Sequence, residues 1–213
     1  MAQPAELPVR IRALTASEQG AATALLAAGM RDNPLHVRIF GADKAARERR
    51  LRRFMAPLLS HVGQNGTILG ASLEGELVGV IGLIRPGSCR PGLTERLRIG
   101  AEIASGHDPL TLARIWRWLR IWERSEPASP HRHLGPLAVA ASHRRQGIGS
   151  RLVEAACEIM DREPAPSWLE TDLEVNVVFY RRFGFETVRQ KPVLGVPNWF
   201  MGRPKMAVRG EEG

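Results

Sequence analysis

The segment His-Leu-Gly-Pro-Leu-Ala-Val-Ala-Ala-Ser-His-Arg-Arg-Gln-Gly-Ile-Gly-Ser-Arg-Leu, residues 133–152, constrains the fold of this chain more than any other. It begins as a short apolar strand ending near Val139, crosses a loop holding Arg144 and Arg145, and enters a helix at Gly147 and Gly149. Ile148, Leu152, Ala156 and Ile159 give that helix one apolar side. A strand running through a glycine loop into a helix builds an anion seat. The first helical turn has N–H groups without intrahelical partners and a partial positive charge, and glycine lets an anion come close to the backbone. The amides of Gln146, Gly147, Ile148, Gly149 and Ser150 are therefore candidate phosphate ligands, with the charges of Arg144 and Arg145 beside them.

Two common phosphate loops do not fit. A dinucleotide fingerprint needs a third glycine where Leu152 stands, and a Walker loop needs Gly-Lys-Ser/Thr where Gly149-Ser150-Arg151 stands. Arg144-x-x-Gly147-x-Gly149 after an apolar strand instead resembles the acetyl-CoA pyrophosphate loop of the GNAT acyltransferase superfamily. Residues 168–185, Trp-Leu-Glu-Thr-Asp-Leu-Glu-Val-Asn-Val-Val-Phe-Tyr-Arg-Arg-Phe-Gly-Phe, look like the second half of a GNAT site: a strand, a short helix carrying Asn176 and Tyr180, and a Gly-Phe turn into another strand. Together with Trp199-Phe200-Met201-x-Arg203 they are similar to the puromycin N-acetyltransferase branch, most clearly over residues 131–204.

The resemblance implies an α/β (α+β) GNAT fold, a mixed, mostly antiparallel twisted sheet flanked by helices. It implies acetyl-CoA as cosubstrate. The backbone of Leu137, Ala138 and Val139 would pair with the pantetheine arm where the next strand splays away, and Asn176, Phe179 and Arg182 would touch CoA. Tyr180 matches the tyrosine that protonates the CoA thiolate. The join between the first helices would arch over the acceptor, making Asp32, Asn33, His36 and Phe40 substrate contacts if they are not ordinary loop residues. Pro136 cannot donate a ladder hydrogen bond, which suits either a strand locally released from pairing or an ordinary edge strand.

Acetylating an amine requires the neutral form, and an alkylammonium with a pKa of about 10.4 is neutral only about once in 2,500 molecules at pH 7. A base is needed. Glu170 is the first choice because it closes a strand beside the expected cleft, and Asp172 is the second. Moving a proton from a phenol near 10 to a thiolate near 8.5 is uphill by only about 2 kcal/mol, which Tyr180 can supply as the C–S bond breaks. His131 and His133 would share a strand face, but no third ligand is spaced to join them, so no metal is expected.

A chain of 213 residues suits one domain, here residues 1–208 with a disordered tail at 209–213. The net charge of +8 includes Arg47, Arg49, Arg50, Arg52 and Arg53 in one helix. No nucleic-acid-binding motif accompanies them, so they read as a solvated face and no nucleic-acid partner is expected. The first residues lack a basic region followed by an apolar core, and no apolar run nears the ~20 residues of a membrane span, so a cytoplasmic protein without a membrane partner is expected. Cys89 and Cys157 read as free thiols.

Periodicity and turn signals predict a strand at 9–13, a helix from the Thr15–Glu18 capping box to Met30, an irregular stretch at 31–40 and a helix at 43–61. A hairpin at 67–73 and 77–84 turns at Glu74-Gly75, with close packing at Gly70, Gly79 and Gly82. Helices follow at 94–104 and from Asp108-Pro109, the latter with a stripe of Leu112, Ile115, Trp116, Leu119 and Trp122 that leaves Trp118 to border a pocket or partner. One or two strands complete 188–208. The resulting reading is direct acetyl transfer from acetyl-CoA to a small-molecule amine. A peptide acceptor, a non-catalytic CoA sensor and a basic nucleic-acid binder are the alternatives, and the oligomeric state, a homodimer included, is open.

Overall fold

The computed structural model describes residues 9–162 and 165–205; the tail at 209–213 lies outside them. Strand β1 (Arg10–Ala13) leads into α1 (Gln19–Met30) through the expected capping box, in which the Thr15 N–H donates to Glu18 Oε2 at 2.9 Å. Residues 31–40 are not irregular. They form α2 (Pro34–Phe40), with Asn33 at the N-cap and Pro34 at the first helical position, where its missing N–H costs nothing. Asn33-Pro34 starts this helix inside the stretch expected to be irregular.

Asp43 caps α3 (Lys44–Asn65) by accepting from the Ala46 N–H at 2.6 Å, and the helix runs about a turn past the expected end. Strands β2 (Gly66–Leu73) and β3 (Glu76–Ile84) form the expected hairpin, and the positive φ of both Glu74 and Gly75 gives its turn the hand that matches strand twist. Helices α4 (Leu93–Ser105) and α5 (Pro109–Glu123) follow, the second capped by Asp108. Then come β4 (Arg132–Val139), α6 (Ile148–Asp161), β5 (Ser167–Thr171), α7 (Glu174–Arg181), β6 (Glu186–Gln190) and β7 (Trp199–Arg203).

The strands form one sheet in the order β1-β2-β3-β4-β5-β7-β6, with only the β4–β5 pair parallel. Side chains alternate across it. Leu69, Ile81, Leu83 and Leu134 pack on Ile148, Leu152, Val153 and Ala156 of α6, whereas Ile68, Val80, Ile84 and Ala138 pack on Ala22 and Leu26 of α1 and Leu59 and Val62 of α3. A third cluster joins Trp168 and Phe200 of β5 and β7 to Leu35, Ile39 and Phe40 of α2, Phe54 of α3 and Trp118 of α5. Among the described residues no helix is long and apolar enough to cross a membrane, and both cysteines are free.

Two expectations are corrected here. The inward face of α5 is set by Thr111, Ile115 and Trp118, so Trp118 is core, while Trp116 is 61% exposed under the Arg120 guanidinium. The spacing 111, 115, 118, 122 keeps the helical period, and Trp116 is turned about 100° from Ile115. The basic cluster is likewise not one solvated face. Arg47 is buried; its guanidinium donates to the carbonyls of Arg31, Gly41 and Ala42 and to Asp32 Oδ1 at 2.6–2.8 Å, tying the α1–α2 and α2–α3 joins to α3. Arg50 donates to the Phe40 carbonyl at 2.8 Å.

Replacing Arg47 by Met strands those carbonyls. The substitution is expected to cost on the order of 3 kcal/mol in urea unfolding, whereas Arg49→Met, at an exposed position, should stay within about 0.5 kcal/mol. Equal effects would mean that Arg47 does not hold the joins.

Candidate active site

The site begins where two strands part. β5 pairs with β4 only at Arg132↔Ser167 and His133↔Trp168; beyond His133, β4 is paired with β3 alone. The β3–β4 register jumps from Leu83↔Leu134 to Ile81↔Leu137, leaving Gly135 and Pro136 in a bulge. Gly82 makes room for it, because a Cβ there would sit 2.6 Å from the Gly135 carbonyl oxygen. Past the bulge, the β5-facing backbone edge of Leu137, Ala138 and Val139 has no neighbouring strand among the described residues. Such an edge can accept an extended ligand.

At the end of β4 the glycine loop takes the expected form. Gly147 caps α6 at φ 78°, and Arg145 also has positive φ, 61°. The helical ladder begins with Arg151 N–H donating to the Gly147 carbonyl at 3.0 Å, so the amides of Ile148, Gly149 and Ser150 precede it. Residues 144–147 are exposed. A Cβ on Gly149 would lie 3.7 Å from Val139 and 3.8 Å from the Phe179 ring, so the end of β4, the start of α6 and α7 converge there. Arg182 completes the convergence, donating to Ser150 Oγ at 3.3 Å with its guanidinium 5.2 Å from the Phe179 centroid.

Other expected CoA contacts have protein partners. Arg144 donates to the Gly29 carbonyl at 2.7 Å, setting its charge against the C-terminal end of α1. Gln146 donates from its side chain to the Ser142 carbonyl, and Asn176 donates to Thr171 Oγ1 at 3.0 Å, which ties α7 to the end of β5. Tyr180 packs with Phe179 and Phe185 in the same cluster as Ile148, Leu152 and Leu169, and burial pushes its hydroxyl above the ordinary phenol range.

Glu170 projects into a dry environment. Its side chain is 1% exposed; Oε1 accepts from Trp168 Nε1 at 2.7 Å, and Oε2 lies 3.3 Å from His133 Nε2. Burial pushes this carboxyl up to about 8, with the Trp168 bond acting the other way. Burial also lowers His133 to about 4. Asp172, the second base candidate, is instead the cap of α2: Oδ2 accepts from the Leu35 N–H at 2.7 Å and Oδ1 from Asn33 Nδ2 at 3.3 Å. The arch residues are also reassigned. Asp32 pairs with Arg47, Asn33 holds Asp172, Phe40 is core, and buried His36 bonds the Met30 carbonyl through Nδ1 at 2.8 Å while packing on Trp118.

The structure adds neighbours that linear spacing could not show. Ligand-capable atoms of Cys89, His131 and His133 lie within 4.8 Å of one another, and so do those of Glu126, His133 and Glu170. Cys89 follows β3 and Glu126 follows α5, so the fold supplies the partners missing from the His-x-His pair.

A sheet opened beside a glycine loop, with an aromatic helix across the gap, defines a class of acyltransferase. Residues 37–185 match the Acetyltransferase (GNAT) family, and the chain belongs to that family of acyl-CoA-dependent N-acyltransferases. In fold it is similar to a histone acetyltransferase HPA2-related acetyltransferase from Corynebacterium glutamicum (20% identity, TM-score 0.71, 95% of this chain and 99% of that one). It is also similar to the polyamine N-acetyltransferase of Drosophila melanogaster (16%, 0.65, 92% and 99%) and to a Brucella melitensis GNAT acetyltransferase solved with acetyl-CoA (16%, 0.51, 94% and 92%).

Burial lowers the proton affinity of His36 below its ordinary 6.5, an effect that the Met30 bond and Asp172 only partly oppose. The unfolded chain then binds this proton more readily, so the histidine's contribution to stability is whole above about pH 6.5 and is lost as pH falls through that value. His36→Leu is expected to shrink the drop in urea midpoint between about pH 7.5 and about pH 5 relative to the wild type. An unchanged drop would remove His36 from the acid response.

Proposed function

We propose that the protein transfers an acetyl group directly from acetyl-CoA to the amine of a small molecule. The observation that carries this reading is the parting of β4 from β5 beside the exposed turn at Gly147: an open backbone edge and a set of unladdered amides lie end to end. On this reading the amides of Gln146, Gly147, Ile148, Gly149 and Ser150 hold the pyrophosphate, with Arg145 and Arg182 nearby. The edge of Leu137, Ala138 and Val139 holds the pantetheine, and Phe179 walls the passage between them.

Acetyl-CoA supplies a thioester; the neutral amine forms the new C–N bond as the C–S bond breaks. Glu170 takes the proton that the amine must lose. Its raised affinity for a proton brings it closer to an alkylammonium than an ordinary carboxylate stands. Tyr180 gives a proton to the departing sulfur. Burial raises a phenol and a thiol together, so the transfer depends on their difference rather than on either value alone. Because the Glu170 side chain is 1% exposed, an acceptor reaches it on a slender chain, which favours a small amine over a peptide segment. The likeness of Trp199–Arg203 to the puromycin N-acetyltransferase branch puts nucleoside-like amines into the screen without choosing among acceptors. Two unpaired cysteines accord with action in the reducing cytoplasm.

Thiol release from acetyl-CoA, screened over small amines and N-terminal peptides, tests the reading; turnover confined to peptides would overturn the acceptor class. Tyr180→Phe and Glu170→Gln should each lower kcat by roughly a hundredfold or more while the KM for acetyl-CoA changes little. For the seat itself, acetyl-CoA at a hundred times its Kd should stabilise the wild type by about 2.7 kcal/mol. Gly149→Val, which drives a branched side chain between Val139 and Phe179, should abolish that gain.

A further inference from the structure

We infer that Cys89, His131, His133 and Glu126 form a site for a divalent transition-metal ion of the zinc class, which clips the 85–130 segment to β4. The Cys89 sulfur and the two imidazoles offer donor atoms within 4.8 Å of one another; Glu126 lies within the same distance of a His133 donor atom in a second group that also holds Glu170. One thiolate, two imidazoles and a carboxylate are a donor set that four-coordinate zinc accepts. Sulfur and imidazole select zinc or cobalt over magnesium or calcium, which prefer all-oxygen shells.

The orientation of His131 is the independent sign. Its Nδ1 lies 3.0 Å from the Ser129 carbonyl, which can only accept, so Nδ1 carries the proton and Nε2 is left with a lone pair. The residue is 5% exposed, and Nε2 has no hydrogen-bond partner. A ligating histidine is usually held in this way, its other ring nitrogen donating to a backbone carbonyl. Oε2 of Glu126 accepts no hydrogen bond and has Arg90 Nε 3.6 Å away as an ion-pair partner. A buried nitrogen without a partner is costly, and a metal ion would occupy the free lone pair of His131.

The Cys89 thiol donates to the His131 carbonyl at 3.4 Å, which holds the sulfur against the backbone of the His-x-His pair. The donors come from the segment after β3, from the residues after α5, and from the start of β4 and the residue before it, so the ion would close the long excursion containing α4 and α5 onto the sheet. Glu170 keeps its Trp168 bond and is not needed as a ligand.

The test is a cobalt titration of the full-length, untagged, chelator-dialysed protein. One equivalent of Co2+ should produce a thiolate-to-cobalt charge-transfer band in the near ultraviolet, and Zn2+ should displace it stoichiometrically. Cys89→Ser should lose the band, His131→Gln should weaken binding roughly tenfold or more, and Cys157→Ser should leave the band intact. As a measurement on the wild type, independent of whether the variants fold, Zn2+ should protect Cys89 but not Cys157 from iodoacetamide, read by mass spectrometry. Absence of the band in the wild type, its survival in a folded Cys89→Ser protein, or equal alkylation of Cys89 with and without Zn2+ would overturn the site. Neither readout involves acetyl transfer, so the inference stands or falls apart from the proposed activity.

Discussion

The rest of the molecule depends on the sheet coming apart in its middle. After His133 and Trp168 pair, β4 stays with β3 while β5 turns to β7, where Glu170 faces Phe200 and Thr171 faces Trp199 in register. Each strand keeps a ladder on its far side, that of β4 interrupted at the bulge, so parting opens the two edges that face each other. An unpaired edge inside a sheet is a liability unless something covers or occupies it. The bulge at Gly135 and Pro136, admitted by the bare backbone of Gly82, bends β4 along its own ladder, and the Trp168–Phe200 cluster anchors β5 to the helices on the other side. The opening is held from both flanks by packing.

The two ends of that opening differ in their access to water. At the glycine loop, residues 144–147 are exposed, and helix amides with nearby guanidinium groups suit a charged, hydrated group. At the inner end the Glu170 side chain is buried and His133 mostly so, and burial moves each toward its neutral form. A long cosubstrate with an anionic end and a neutral reactive end matches this gradient.

Much of this was readable from local chemistry. The Thr15–Glu18 box, the cap at Asp108, the Glu74-Gly75 turn and the loop into α6 each follow from a few adjacent residues, and each formed as expected. What could not be read depends on partners distant in sequence. Arg47 belongs by pattern to a basic surface helix; only the carbonyls at two helix joins make it an interior residue. Asp172 has the chemistry of a base and the position of one, but the α2 amide nearest to it makes it a cap. Trp116 and Trp118 are two residues apart on one helix, and the packing of His36 and Phe54 decides which turns inward. The Asn33-Pro34 pair is a local helix-start signal, so the helix inside the stretch expected to be irregular lay within reach of the same local chemistry.

The same distinction separates the glycine-loop end of the opening from the Glu170 end. The first is built from two contiguous stretches, strand to loop to helix and strand to helix, whose geometry is set within each stretch. The second gathers Cys89, Glu126, His133 and Glu170 from separate excursions of the chain. A change anywhere in residues 85–130 can therefore alter what meets Glu170 without touching the loop at Gly147. On the proposed function, holding the cosubstrate makes local demands on the sequence, whereas selecting the acceptor depends on how distant segments pack.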